Sequence, residues 1–577
     1  MLKTLTMNAP TRWAWILLLT AAALLRLCGL AQTPLAPDEA ATAMASLDIV
    51  RGRLPAPTGE GSLLLIGNAL LFAASGTGDG VARLLPALAG TVLVAVPWLW
   101  RRRLGEVGAL AASVVLSFSP LLLFASRHVA GATVGLLGAT LLLTVLFARV
   151  GDADEDASAT SESPALVIAG VALGLTGGAV FYDLLIAGFC AWFLYHWFQR
   201  KRLRWPFAPR WMLAGLALAA LISIGFGFRM DWSGIGDGLA GWFDSWRTWG
   251  GGAPGALLLD VYEPLTLLLT FMGLGWIIAR KNYEVLVICA VAVAGLILAL
   301  LHPGAATLTW TTVLVPCAFL AGFGVQQMVA GIPSHSMRWI LLHVLAEFML
   351  WMPAGLALAA YAHNSTMALQ PEWLILLGAG VLLALHVLTA MLFTFMLPPA
   401  IVWRSTLLGL AFALLAAQFS AAWGLSFSRS SLPTEPAARV RTSLDVWNLR
   451  RTLEDLTIAR GMRRDSVRLT LVADDADRLA TLRWVLRDLP KTEVTAEWPI
   501  EGDGFVIAPE WIRPPEASGA WRGMRFVVIS RSDGTIPRCQ SFSPLPCSDL
   551  VGWLIFREAP NTLLSDYVVL WERPGLE

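Results

Sequence analysis

Long apolar runs dominate the chain up to about residue 423. Each is roughly 17–24 residues long, the length a helix needs to cross the hydrocarbon core of a bilayer. Spans are expected near residues 13–31, 82–100, 106–124, 129–149, 165–180, 182–198, 211–228, 257–279, 283–301, 307–328, 339–361, 373–395 and 404–424, about thirteen in all. Only 14% of the residues are charged, against roughly a quarter in a soluble domain. After Ser426 the pattern changes to alternating, charge-rich segments of soluble type. The reading is therefore a membrane domain over residues 1–425 and a small α/β domain over residues 426–577.

Lysine and arginine in short loops set the orientation. Lys3 and Arg12, Arg101-Arg102-Arg103, Arg200-Lys201-Arg202 and Arg280-Lys281 all fall on one side if the count holds, so that side is cytoplasmic. The chain is thus expected in the cell (plasma) membrane, with its N-terminus cytoplasmic and its C-terminal domain outside. Arg26 interrupts the first apolar run before Cys28, which argues for a retained helix rather than a cleaved signal or a lipidated cysteine. Trp13, Trp98, Trp197 and Trp373 lie near helix ends, where amphipathic rings favour the lipid–water boundary. Cys539 and Cys547 have a spacing compatible with a local disulfide in an oxidising compartment. The other four cysteines lie in apolar runs. The net charge of +1 and the lack of a basic arm give no sign of nucleic-acid binding.

Two outer loops are expected, at residues 32–81 and 229–256. The first is too long for a plain connection. Pro37 followed by Asp38-Glu39 predicts a helix start with acidic residues in its first turn. That helix should run to about Val50, and a second apolar one over Gly61–Ala74 should lie along the membrane surface. Acidic residues in a first turn stabilise a helix by roughly 0.3–1 kcal/mol each through its dipole, so capping alone accounts for the pair. The alternative is a general base facing a lipid-borne substrate.

The order of motifs bears on that choice. Leu25-Arg26-Leu27, then Pro37-Asp38-Glu39-Ala40, then Ala82-Arg83-Leu84-Leu85-Pro86-Ala87-Leu88, then Ser119-Pro120 and Ser126-Arg127, resembles the start of the GT-C glycosyltransferases. These include protein O-mannosyltransferases, the aminoarabinose transferase of lipid A and oligosaccharyltransferases. The resemblance is greatest to prokaryotic flippase-associated glycosyltransferase-like proteins. It covers about residues 20–200 and is loose beyond. It implies a sugar donor on polyprenyl phosphate or diphosphate, an acceptor outside the membrane, and Asp38 as the catalytic carboxylate with Glu39 beside it. The leaving phosphate needs positive charge, for which Arg127 with His128, Arg83 and Arg229 are the candidates. Asp38 and Glu39 are also oxygen donors of the kind a Mg²⁺- or Mn²⁺-type cation prefers.

Two departures stand out. Relatives often carry a basic and an acidic residue where this chain reads Val129-Ala130-Gly131, and a Lys or Glu where it reads Thr176-Gly177-Gly178. Tyr182 and Asp183 are the nearest polar replacements. Asp183, Asp260 and Glu263 are expected under the outer face as cavity carboxylates, since ionisable groups within spans are functional candidates by default. Glu347 should pair with His343 one turn back. Trp232, Asp237 and Trp242 in the second outer loop are acceptor-contacting candidates, because rings stack on sugars and carboxylates bind hydroxyls. An interfacial helix anchored by tryptophans explains them equally well. The functional expectation is a membrane glycosyltransferase. A flippase or transport partner without chemistry, or a structural subunit, is the alternative. No internal repeat of the transporter kind is visible.

Overall fold

The computed structural model describes residues 9–53, 55, 58–148, 163–199, 207–225, 233–247, 255–280, 283–302, 307–330, 332, 337–363, 372–463, 466–472, 475–489, 491–499, 504–515, 521–532, 548–557 and 563–573. Arg229, Trp232, Cys539 and Cys547 lie outside the described residues, as does the side chain of Asp237.

Among the described residues, Leu84–Leu104, Val180–Phe198, Thr307–Val329, Met337–Ala357 and Pro399–Ser428 are each long and apolar enough to cross a membrane. Glu106–Phe118 and Pro120–Ser126 pass the same test as a pair bent by 64°. Shorter apolar helices, such as Ala132–Ala148 and Pro264–Ala279, pack among them. The chain is a multi-pass membrane protein. Thr311–Val329 runs through the middle of the bundle with almost all of its side chains buried. It meets Glu106–Phe118 and Pro264–Arg280 at glycines: a Cβ on Gly108 would lie 2.9 Å from the Gly322 carbonyl oxygen, and one on Gly273 would lie 2.3 Å from that of Leu320. Small residues let helix backbones close up where lipid offers no hydrophobic drive for association. At the other extreme, Leu341, Leu345, Leu356 and Phe412 point outward from the last helices, as a lipid-facing surface requires.

The bend at Ser119-Pro120 has a local cause. Proline has no N–H to bond the carbonyl four residues back, which frees the Leu116 oxygen. The buried Arg26 takes that oxygen with Nη2 at 3.0 Å and reaches Ser117 O with Nη1 at 3.4 Å. Beyond the break, the Leu121 N–H donates to Glu263 Oε1 at 3.4 Å and the Leu122 N–H to Ser119 Oγ at 3.3 Å. The freed backbone groups thus have side-chain partners inside the bundle.

The loop after the first helix folds as Pro37–Val50 and Ser62–Ser75, the two helices expected of it. The C-terminal domain is a six-stranded sheet, β1 (Val440–Thr442), β2 (Arg468–Val472), β3 (Lys491–Thr495), β4 (Phe505–Pro509), β5 (Arg522–Ser532) and β6 (Leu563–Glu572), in the order β1-β5-β6-β4-β2-β3. β2 runs parallel to β3 and β4, and the other pairings are antiparallel. Leu469, Leu471, Phe505, Ile507 and Val568 form its core with Val446, Leu449 and Leu453 from the helix Asp445–Ala459.

This domain sits on the 32–81 loop. Trp484, 1% exposed, joins a cluster with Leu35, Ala40, Leu64 and Phe72 and donates its Nε1–H to Asp79 Oδ1 at 2.7 Å. Thr442 Oγ1 donates to Leu35 O at 2.6 Å, and Arg487 Nη2 to Thr77 O at 3.1 Å. The loop after the first helix and the domain after the last therefore share one side of the helical layer. Trp484→Ala should cost about 3–5 kcal/mol, as for other buried aromatics truncated to alanine. Asp79→Ala should cost about 1–3 kcal/mol through the orphaned indole N–H. Denaturant midpoints and protease sensitivity of the purified variants measure both.

Candidate functional site

The helix Pro37–Val50 begins after Ala36, whose backbone is extended. Proline suits the first helical position, where no N–H is needed. Glu39 then folds back and accepts the Ala36 N–H on Oε2 at 2.9 Å. The same carboxylate receives Arg83 Nε on Oε1 at 2.8 Å and Arg83 Nη2 on Oε2 at 2.5 Å. The Val129 N–H completes the set on Oε1 at 2.9 Å. Glu39 is fully buried. Burial pushes its carboxyl up, but Arg83 and His128 outweigh this and hold it well below the usual carboxylate range. Arg83 spends its remaining N–H groups on the carbonyls of Leu30, Thr33 and Pro34.

Asp38, one residue earlier, points the other way. Its side chain is 72% accessible and accepts from or shares a proton with His128 Nε2 at 2.8 Å. Protein crowds it closely enough that desolvation raises the carboxyl, and the His128 charge and hydrogen bond overcome that rise, leaving Asp38 below its ordinary value. This is an exposed carboxylate. His128 arrives just past the bent pair Glu106–Phe118 and Pro120–Ser126 and places Nδ1 3.5 Å from Glu39 Oε1. Burial disfavours its charge, yet the two carboxylates raise its pKa and favour the imidazolium.

A third carboxylate was not singled out from the sequence. Glu60 accepts the Gly131 N–H on Oε2 at 2.5 Å. Desolvation and Asp38 push its carboxyl up, Gly131 and His128 pull it down, and the balance is about 7. It reaches this place because glycines meet around it. A Cβ on Gly61 would lie 2.0 Å from Thr176 O, and one on Gly131 would lie 2.4 Å from Gly177 O. The two departures from the family pattern, at Gly131 and Gly177, thus touch each other, and Glu60 supplies an acid beside them. The Gly-Glu-Gly context of Glu60 was the available signal.

The other expected residues have these places. Arg127 donates to the carbonyls of Leu25, Cys28 and Gly29 at 2.9, 2.7 and 3.0 Å and lies over Phe427, so its fork caps the end of the first helix. Asp183 accepts Trp242 Nε1–H at 2.8 Å. Asp260 is exposed on the helix Gly255–Tyr262. Glu263 lies within the bundle, accepting from Ser119, from Thr266 Oγ1 at 2.7 Å and from Gln418 Nε2 at 3.1 Å. Glu347 meets His343 at 3.2 Å, and also His386 at 2.5 Å. Among the described residues no group of three or more His, Cys, Asp or Glu is arranged to hold a metal ion. Glu39 has its oxygens committed to Arg83 and backbone N–H groups, so Asp38 and Glu39 do not fit a shared cation.

A helical membrane layer, a first loop that presents an exposed carboxylate, and an α/β domain seated on that loop make up the fold. Two solved structures of ArnT from Cupriavidus metallidurans share this fold. The one bound to undecaprenyl phosphate aligns with a TM-score of 0.51 at 13% identity, covering 86% of this chain and 93% of that one. The apo structure aligns with a TM-score of 0.51 at 14% identity, covering 87% and 94%. No protein-family model matches the sequence, and no curated protein matches it. The GT-C resemblance drawn from the motifs is thus met by a likeness of fold.

Arg83→Met should cost about 3–5 kcal/mol, because it strands a buried carboxylate; thermal unfolding of the detergent-purified protein reads this. Glu60 makes a pH test. Its folded-state pKa of about 7 lies above its ordinary 4.5, so its stabilising contribution is complete below about pH 4.5 and is lost as pH rises through 7. Glu60→Gln should therefore gain thermal stability relative to the parent at pH 8 and none at pH 5. Equal differences at the two pH values would contradict this account.

Proposed function

We propose that the protein moves a sugar from a polyprenyl-phosphate-linked donor to an acceptor hydroxyl, on the extracytoplasmic side where the C-terminal domain sits. The observation that carries the reading is Asp38: an ionised, exposed carboxylate, oriented by His128 and backed by the buried Glu39–Arg83 pair. The fold shared with ArnT supports it, since one of those structures holds undecaprenyl phosphate.

In this reading the acceptor oxygen attacks the anomeric carbon while its proton passes to Asp38. The bond from that carbon to the donor phosphate breaks, and its electron pair leaves on the phosphate oxygen. His128 keeps Asp38 ionised and pointed at the acceptor. A base is most effective when its pKa lies near the working pH. Glu60, at about 7, fits that requirement and serves as a second stop for the proton. A tail among the apolar helices and a phosphate at the outer boundary suit a lipid-linked donor.

Asp38→Asn retains a hydrogen-bonding group toward His128 but cannot take a proton. Transfer of labelled sugar from a polyprenyl-linked donor by purified protein should fall roughly 10²–10⁴-fold, the usual range for loss of a general base. Unchanged activity would overturn the assignment. Donor binding without transfer by the parent protein would favour the non-catalytic, flippase-associated reading instead.

A further inference from the structure

The arginines near Asp38 and the segments that hold it are almost all committed. Arg26 holds the carbonyls of the broken helix, Arg83 holds Glu39, and Arg127 holds the end of the first helix. Arg441 differs. It lies on β1, the edge strand of the C-terminal sheet, and is 8% exposed. Its guanidinium carbon lies 5.2 Å from the centre of the Phe124 ring. Its Nε is buried with no hydrogen-bond partner. Among the described residues its fork has neither a carboxylate nor a carbonyl to bond. The next residue, Thr442, pins the strand to Leu35 O at 2.6 Å, three residues before Asp38.

This cation is coupled electrostatically to the Asp38–Glu39 pair. Burial disfavours its charge, while Glu39 and Asp38 support it and Arg83 opposes it. His128 in turn feels Arg441. A buried charge without a bonded partner is costly, and an anion that completes the fork removes much of that cost. Guanidinium suits phosphate oxygens bidentately.

We propose that Arg441 binds the phosphate of the lipid-linked donor, so that the C-terminal domain supplies part of the donor site. The inference rests on the transferase reading above. It gives the leaving phosphate a fixed positive partner, which the committed Arg83 and Arg127 do not offer. The same fork would take a free phosphate ion, so the test includes both sources.

Full-length protein in phosphatidylcholine nanodiscs is titrated with undecaprenyl phosphate, and separately with inorganic phosphate, while its thermal midpoint is followed. A ligand that binds only the folded state raises the midpoint with concentration. The parent should be stabilised by the lipid phosphate at far lower concentration than by inorganic phosphate. Arg441→Ala should weaken the apparent affinity for the lipid at least tenfold, with its ligand-free midpoint near the parent's. Arg441→Lys should lose less, and it carries the test if the alanine variant does not fold. Parent-like affinity in the variants overturns the assignment of Arg441 and leaves the transferase reading intact. Equal affinity for inorganic phosphate overturns the lipid source. No binding of undecaprenyl phosphate by the parent overturns both this inference and the reading beneath it.

Discussion

The Glu39–Arg83 pair is the contact on which the site depends. An ion pair buried this deeply gains little over well-packed apolar residues, so its presence needs another reason. The reason lies in what else the two groups bond. Arg83 satisfies three carbonyls of the segment 30–34, and Glu39 satisfies the N–H groups of Ala36 and Val129. Three pieces of chain far apart in sequence are thereby held at one point. A hydrocarbon pair of the same volume would leave five backbone groups without partners. With Glu39 turned inward, the adjacent Asp38 turns toward the opening, and His128 follows because its neighbour Val129 is tied to Glu39.

The helical layer prepares this point from below. Pro120 breaks a helix, Arg26 and Glu263 take the groups that the break frees, and the chain beyond the break delivers Arg127 and His128 to the membrane boundary. Arg127 then closes the end of the first helix, from which the Asp38 loop departs. Arg26 and Glu263 inside the bundle are thus explained by backbone groups left open at a bend. Glu263 belongs to that set, although from sequence it was expected beneath the cavity.

Much of this was legible from residue order. The two helices of the first loop follow from Pro37 and Gly61, and the motif pattern singled out Asp38-Glu39, Arg83 and Arg127-His128, although it assigned Arg83 to phosphate and not to Glu39, which it bonds. The change to alternating, charge-rich segments after Ser426 also marked the C-terminal sheet domain. What escaped depended on partners that no local pattern encodes. Arg127 was expected to hold phosphate, but the carbonyls it bonds are brought to it only by tertiary folding. Arg441 lies in a three-residue strand that alternation alone cannot flag, more than three hundred residues from the Phe124 ring it lies over. Glu60 lacks any hydrophobic periodicity around it and is recruited by a backbone N–H.

The glycine contacts around Glu60 carry a consequence for how such a site can change. Gly61, Gly131 and Gly177 fix the spacing of three segments by the radii of bare backbone atoms. A methyl group on any one meets backbone of a neighbouring segment: the Thr176 carbonyl from Gly61, the Gly177 carbonyl from Gly131, and the Gly135 backbone from Gly177. The position of Glu60 is therefore set by bare backbone on both sides of it, and any side chain added at these glycines shifts the acid before it touches the acid itself.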